Sequence, residues 1–103
     1  MQYTINVAKL PAPLSFDWDG GNLEKNWQKH KVHFKEAEEI FLNRPLKLFE
    51  DPKHSIKEER FLAYGITNQG RKLTVVFTVR KQKVRPISTR DMNKKEVTVY
   101  EKS

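Results

Sequence analysis

Cysteine is absent from this chain of 103 residues, so neither a disulfide nor a thiolate-bound zinc ion can stabilise the fold. Long apolar runs are absent too, and none approaches the roughly 20 residues that a membrane-spanning helix needs. The N-terminal segment MQYTINVAKLPAPLSF lacks the apolar core of a secretory signal peptide. These absences predict a soluble cytoplasmic protein with no membrane partner and, at this length, a single modest core.

Acidic residues are scarce in one quarter of the chain, and the net charge is concentrated there. The whole chain carries a formal charge of +7. Between Arg71 and Lys95 there are nine Lys or Arg residues and a single acid, Asp91, which gives that segment a charge of +8. Such a focused positive field attracts a polyanion or an acidic protein. A solvated basic face that only keeps the chain soluble is the alternative, but arginine in strands favours a binding surface.

Apolar spacing and capping residues predict three helices. Asp19 or Asn22 can cap a first helix that runs to about His30. Residues 32–45, VHFKEAEEIFLNRP, have the spacing of a second helix and the stop signals that end one. A capping-box pattern predicts a short third helix over residues 94–100. Two helices are therefore expected near the N-terminus, and one near the C-terminus.

Four segments have the composition and alternation of β-strands. They are LKLFE (46–50), ERFLAYGI (59–66), KLTVVFTVR (72–80) and VRPISTR (84–90). Short turns separate the last three, which predicts an antiparallel meander, and Pro86, with no N–H to donate, places the fourth at an edge or turns its N–H side outward. We therefore predict an α+β domain with two N-terminal helices, a four-stranded antiparallel sheet and a short C-terminal helix. The domain is expected over residues 15–103, after a tail over residues 1–14.

Several short motifs follow one another along most of the chain. They are FDWD at 16–19, N-x-x-K-H at 26–30, F-x-E-A at 34–37, Glu59–Arg60, R-x-I-S-x-R at 85–90, and Glu96 with Tyr100. In this order they resemble the BrnT toxins of bacterial type II toxin–antitoxin systems. The resemblance implies a RelE-like fold, a toxin that cleaves RNA and inhibits translation, and a cognate BrnA-like antitoxin that neutralises it. No cofactor is expected.

Cleavage of RNA without a metal requires a base, an acid and cations near the phosphate, and histidine suits both proton steps. His30, at the end of the first helix, is the first candidate; its alternative role is to cap that helix and pack against the sheet. His54, in a polar loop, is the second candidate and an expected RNA contact, with an ordinary loop histidine as the alternative. The three histidines lack the spacing with a carboxylate that a metal site requires, so no metal is expected.

Arg60 and Arg90 are the arginines expected to act with His30 as catalytic residues, by offsetting the charge that develops on phosphorus. Arg90 stands beside the N-terminus of the last helix, where anions are favoured, whereas a cross-strand ion pair is the alternative for Arg60. The residues expected to bind RNA are Lys29, His54, Arg80, Arg85 and Lys94. Arg85 and Arg90 are an odd number of residues apart, so a regular strand would point them to opposite faces unless Pro86 or the turn into the last helix changes the alternation.

Two other functions fit the same charge. One is a non-catalytic RNA-binding module, although an RNP-like aromatic motif and a GXXG loop are both absent. The other is a protein-interaction module whose basic face binds an acidic partner. Destruction of RNA, rather than its protection, would distinguish the toxin from the first. A tight acidic partner without RNA affinity would favour the second.

Overall fold

The computed structural model describes residues 3–51 and 57–102. Within these residues the strands are β1 (Tyr3–Ile5), β2 (Lys47–Glu50), β3 (Phe61–Ile66), β4 (Lys72–Arg80) and β5 (Lys83–Asp91). The α-helices of the same residues are α1 (Gly20–His30), α2 (Phe34–Leu42) and α3 (Lys94–Glu101). No helix in this part of the chain is long and apolar enough to cross a membrane.

The strands form one antiparallel sheet in the order β1-β2-β3-β4-β5. This confirms the predicted α+β class and the meander, but the sheet of the described residues has five strands rather than four. The additional strand is β1, which was expected to belong to the tail and instead pairs with β2, with Thr4 opposite Phe49. A strand of three residues is too short for period-two alternation to reveal it.

Local capping explains where α1 and α3 begin. Asp19 Oδ1 accepts a hydrogen bond from Gly21 N at 2.7 Å, so Asp19 rather than Asn22 caps α1. Asn93 and Glu96 form the predicted capping box of α3: Asn93 Oδ1 accepts from Glu96 N at 2.9 Å, and Glu96 Oε1 accepts from Asn93 N at 3.0 Å. An acidic side chain therefore lies at the start of each of these helices, where it is favoured by the helix dipole.

The sheet buries apolar side chains on both faces. One face, which we call the α2 face, carries Leu48, Ala63, Leu73, Val75 and Phe77. The opposite face, the α3 face, carries Phe49, Leu62, Tyr64 and Val76, and Tyr100 of α3 packs on it. Helix α2 approaches the sheet closely, because a Cβ atom on Gly65 would lie only 2.6 Å from Ile40 Cβ. The core is thus continuous across the α2 face and smaller on the α3 face.

Strand β5 lies at the edge of the sheet, as its proline predicted, and α1 covers that edge. Asn22 Nδ2 donates to Pro86 O at 3.3 Å, and Asn26 Oδ1 accepts from Thr89 N at 3.2 Å. The two asparagines are four residues apart, so they share one face of the helix. Helix α1 therefore satisfies backbone groups that an open edge strand would expose.

Candidate nucleic-acid interface

A β-bulge interrupts β5 in the middle of the R-x-I-S-x-R motif. Val76 of β4 lies opposite Ser88, but the next residue, Phe77, lies opposite Pro86, so Ile87 has no partner on β4. Proline lacks the N–H that regular pairing uses, and a bulge is one of the few places where a sheet accommodates it. The bulge shifts the alternation of side chains along β5 by one residue.

This shift brings the two arginines of the motif to one face. Arg85 lies opposite Thr78, and Arg90 lies opposite Thr74. Residues directly opposite each other on neighbouring strands point to the same face, and both threonines share the α3 face with Val76 by the period of the strand. The opposite-face arrangement of a regular strand therefore does not apply to this chain.

Further cations lie on the α3 face. Arg80 and Lys83 lie opposite each other at the turn between β4 and β5. Arg60 precedes β3, and its carbonyl accepts a hydrogen bond from Asp51 N at 2.9 Å, which extends the pairing of β2 with β3 by one residue. Side chains two residues apart on a strand point to the same face, so Arg60 points to the α3 face with Leu62. We call the surface formed by Arg60, Arg80, Lys83, Arg85 and Arg90 the basic face.

Arg90 is held by the carboxylate of Glu96, a residue that is only 8% exposed. Arg90 Nη1 and Nη2 donate to Glu96 Oε1 and Oε2 at 2.6 and 2.8 Å. Thr74 Oγ1 and Asn93 N also donate to Glu96 Oε1, each at 3.0 Å. Burial by itself would raise the pKa of Glu96, but the hydrogen bonds from Arg90 and Asn93 outweigh burial, and the pKa is lowered. Glu96 is therefore a carboxylate at neutral pH.

The same network orients the guanidinium of Arg90. Its Nη1 also donates to Asp91 O at 3.2 Å, whereas Nε–H and the second N–H of Nη2 have no acceptor in the described residues. Nε and Nη2 form one of the edges with which arginine binds two oxygens of a phosphate. The hydrogen bond to Glu96 raises the pKa of Arg90, and the side chain is 36% exposed. Arg90 thus presents an oriented, permanently charged donor.

Arg85 binds two carboxylates in the N-terminal part of the chain. Its Nη1 donates to Asp17 Oδ2 at 3.0 Å, and its Nη2 donates to Asp19 Oδ2 at 3.1 Å. This explains the FDWD motif, because its aromatic residues Phe16 and Trp18 pack against the core while the acids that alternate with them bind Arg85. A phosphate would have to compete with two carboxylates for Arg85, whose contacts hold the start of α1 against β5.

The other residues expected to bind RNA occupy several parts of the surface. Arg80 Nη2 lies 3.1 Å from Glu58 Oε2, and its side chain is half exposed. Lys94 is exposed at the start of α3, while Lys29 is exposed on α1. His54 lies outside the described residues.

Arg71, which the sequence did not single out, joins the ends of α1 and β5. Its Nη2 and Nη1 donate to the carbonyls of His30 and Lys31 at 3.1 and 2.9 Å, and its Nε and Nη2 donate to the Asp91 carboxylate at 2.7 and 3.0 Å. A second carboxylate, Glu36, accepts from Nη1 at 3.3 Å. The hydrogen bond from Arg71 lowers the pKa of Asp91, and the nearby His30 contributes to the same shift.

His30, at the end of α1, lies near the end of β5, because Arg71 binds both the His30 carbonyl and the Asp91 carboxylate. Asp91, beside His30, lies opposite Leu73 and therefore points to the α2 face. Consecutive strand residues alternate, so Arg90 points to the α3 face. Of the three residues predicted to be catalytic, the structure brings Arg60 and Arg90 to one face, while His30 lies at the end of α1 near Asp91.

Comparison with known proteins assigns a family to this geometry. A family model described as the ribonuclease toxin BrnT of type II toxin–antitoxin systems matches residues 18–96. The matched range contains the whole of the basic face and also Glu96. A search of curated proteins gave no match.

Proposed function

Because the chain belongs to the BrnT family of ribonuclease toxins of type II toxin–antitoxin systems, we propose that its basic face binds the RNA that it cleaves. The observation that carries this proposal is the bulge at Ile87, which places Arg85 and Arg90 on the face that also carries Arg60, Arg80 and Lys83. A regular β5 would divide these cations between the two faces of the sheet. Clustered cations on one sheet face suit the phosphates of a single strand.

The proposed reaction is a transesterification within the RNA. The 2′-hydroxyl loses its proton to a base and attacks the adjacent phosphorus, and the bond from phosphorus to the 5′-oxygen breaks as that oxygen gains a proton. Arg90 and Arg60 offset the negative charge that develops on the phosphate oxygens. Arg90 is the stronger contributor in this proposal, because Glu96 already fixes its orientation.

His30 is the proposed residue for proton transfer, and its position requires RNA held by Arg90 to pass over the Asp91 end of β5. We expect His30→Ala to slow cleavage at least tenfold and to remove one limb of the pH–rate profile. The matched control is His33→Asn, which removes another histidine but keeps a good cap for α2. A slower reaction with an unchanged pH profile would assign His30 to holding the end of α1.

The proposed partner is a BrnA-like antitoxin, and the proposed consequence of RNA cleavage is inhibition of translation. An antitoxin that covers the basic face would block its five cations, Arg60, Arg80, Lys83, Arg85 and Arg90, from contact with RNA. We expect the segment of the antitoxin that contacts this face to be acidic, because charge complementarity governs such encounters.

Expression of this chain alone is expected to arrest growth, and co-expression of the antitoxin encoded beside it is expected to restore growth. RNA ends mapped soon after induction should show new cleavage sites. The control is the Arg90→Ala variant at the same soluble level. Normal growth at high soluble expression of the unaltered chain would contradict the proposal, and RNA that is protected rather than cut would favour a binding module.

A further inference from the structure

The hairpin between β4 and β5 has an unusual backbone for its sequence. Lys81 and Gln82 form a two-residue loop between the paired residues Arg80 and Lys83, and their φ angles are 51° and 63°. Two-residue hairpin loops with positive φ at both positions favour Asn-Gly, since residues with a larger side chain are disfavoured in the left-handed region. Lys81 and Gln82 therefore make this turn less stable than Asn and Gly would.

Two cations at this turn, Lys81 and Lys83, have no acidic partner in the described part of the chain. Arg85 and Arg90 are bound by carboxylates, and Arg80 lies beside Glu58. Lys81 and Lys83 are exposed, and neither has an ion pair or a side-chain hydrogen bond among the residues that the structure describes. Their charge is locally uncompensated, so it attracts an anion more strongly than a paired cation does.

We infer that Lys81 and Lys83 form a second phosphate contact, which holds the RNA strand at the hairpin tip while Arg90 acts at the cleaved bond. This inference rests on the proposed binding of RNA to the basic face. Lys83 and Arg90 are seven residues apart on β5, a separation of about 20 Å along the strand. The tip is too far from Arg90 to act on the same phosphate, so it contributes to affinity rather than to the chemical step.

The test uses two substitutions that both relax the turn but differ in charge. Lys81→Asn removes one cation and introduces a residue that tolerates positive φ, whereas Gln82→Gly relaxes the turn and keeps every charge. Binding is measured with a fluorescent single-stranded RNA that carries 2′-O-methyl groups throughout and so is not cleaved by the proposed reaction. Each relaxed variant is expected to raise the melting temperature by a few degrees.

Only the variants that remove a cation, Lys81→Asn and Lys83→Gln, are expected to weaken RNA binding. The plot of log K against log salt has a negative slope, and the magnitude of that slope should decrease by about 0.7 for Lys81→Asn and by the same amount for Lys83→Gln. Gln82→Gly should keep the slope and the affinity of the unaltered chain. Unchanged slopes in both lysine variants would overturn the inference alone, whereas absence of RNA binding by the unaltered chain would overturn the proposed function itself.

Discussion

Arg90→Ala is expected to slow RNA cleavage by about 10²–10⁴-fold. Glu96 binds both Nη atoms of Arg90 and so fixes the orientation of its guanidinium. The edge formed by Nε and Nη2 remains available for a phosphate. A donor that is already oriented stabilises charge in the transition state without having to reorganise. The rate is best measured as single-turnover cleavage of an end-labelled RNA, so that product release does not enter.

The same substitution also removes the main partner of the buried Glu96 carboxylate, so it should lower the free energy of unfolding by about 1–3 kcal/mol. The control is the double variant Arg90→Ala with Glu96→Gln. Glutamine still completes a capping box and leaves no buried charge, so the double variant should regain stability without regaining cleavage. Cleavage that returns together with stability would show that Arg90 acts by holding α3.

Local patterns predicted much of the sheet and the start of α3. Strand β4 spans Lys72–Arg80 as predicted, and it lies between β3 and β5. Its apolar residues alternate with threonines and Val76, so one face of the strand is strongly apolar, which favours a position in the middle of the sheet. The capping box of Asn93 and Glu96 was predicted and is confirmed with both of its hydrogen bonds. Both features depend on residues a few positions apart, which is why sequence alone sufficed.

The features that shape the site depend on contacts between distant residues. The bulge at Ile87 follows from how β5 pairs with β4, and no alternation within β5 itself reveals it. Arg71 binds the carbonyl of His30 across 41 positions of sequence. The sequence placed Arg90 where an anion is favoured, and the anion found there is Glu96 of the same helix. A charge pattern locates the cations, but the fold selects their partners.

A single 2′-O-methyl group at the cleaved position is expected to reduce cleavage below detection. In the proposed reaction the RNA supplies its own nucleophile, the 2′-hydroxyl next to the cleaved phosphate. The methyl group removes its proton but leaves the phosphates, so binding to the basic face should persist.

The control substrate carries the 2′-O-methyl group one nucleotide away from the cut and should be cleaved at the normal rate. The unmodified RNA should be cut in excess EDTA, with a 2′,3′-cyclic or 3′-phosphate on the upstream product and a 5′-hydroxyl on the downstream product. These ends follow from the proposed bond changes, because phosphorus stays with the oxygen that attacked it. Products with 5′-phosphates, or activity lost in EDTA and restored by Mg²⁺, would replace the mechanism with metal-assisted hydrolysis. Binding of RNA to the basic face would survive that outcome, because it depends on the cations and not on the nucleophile.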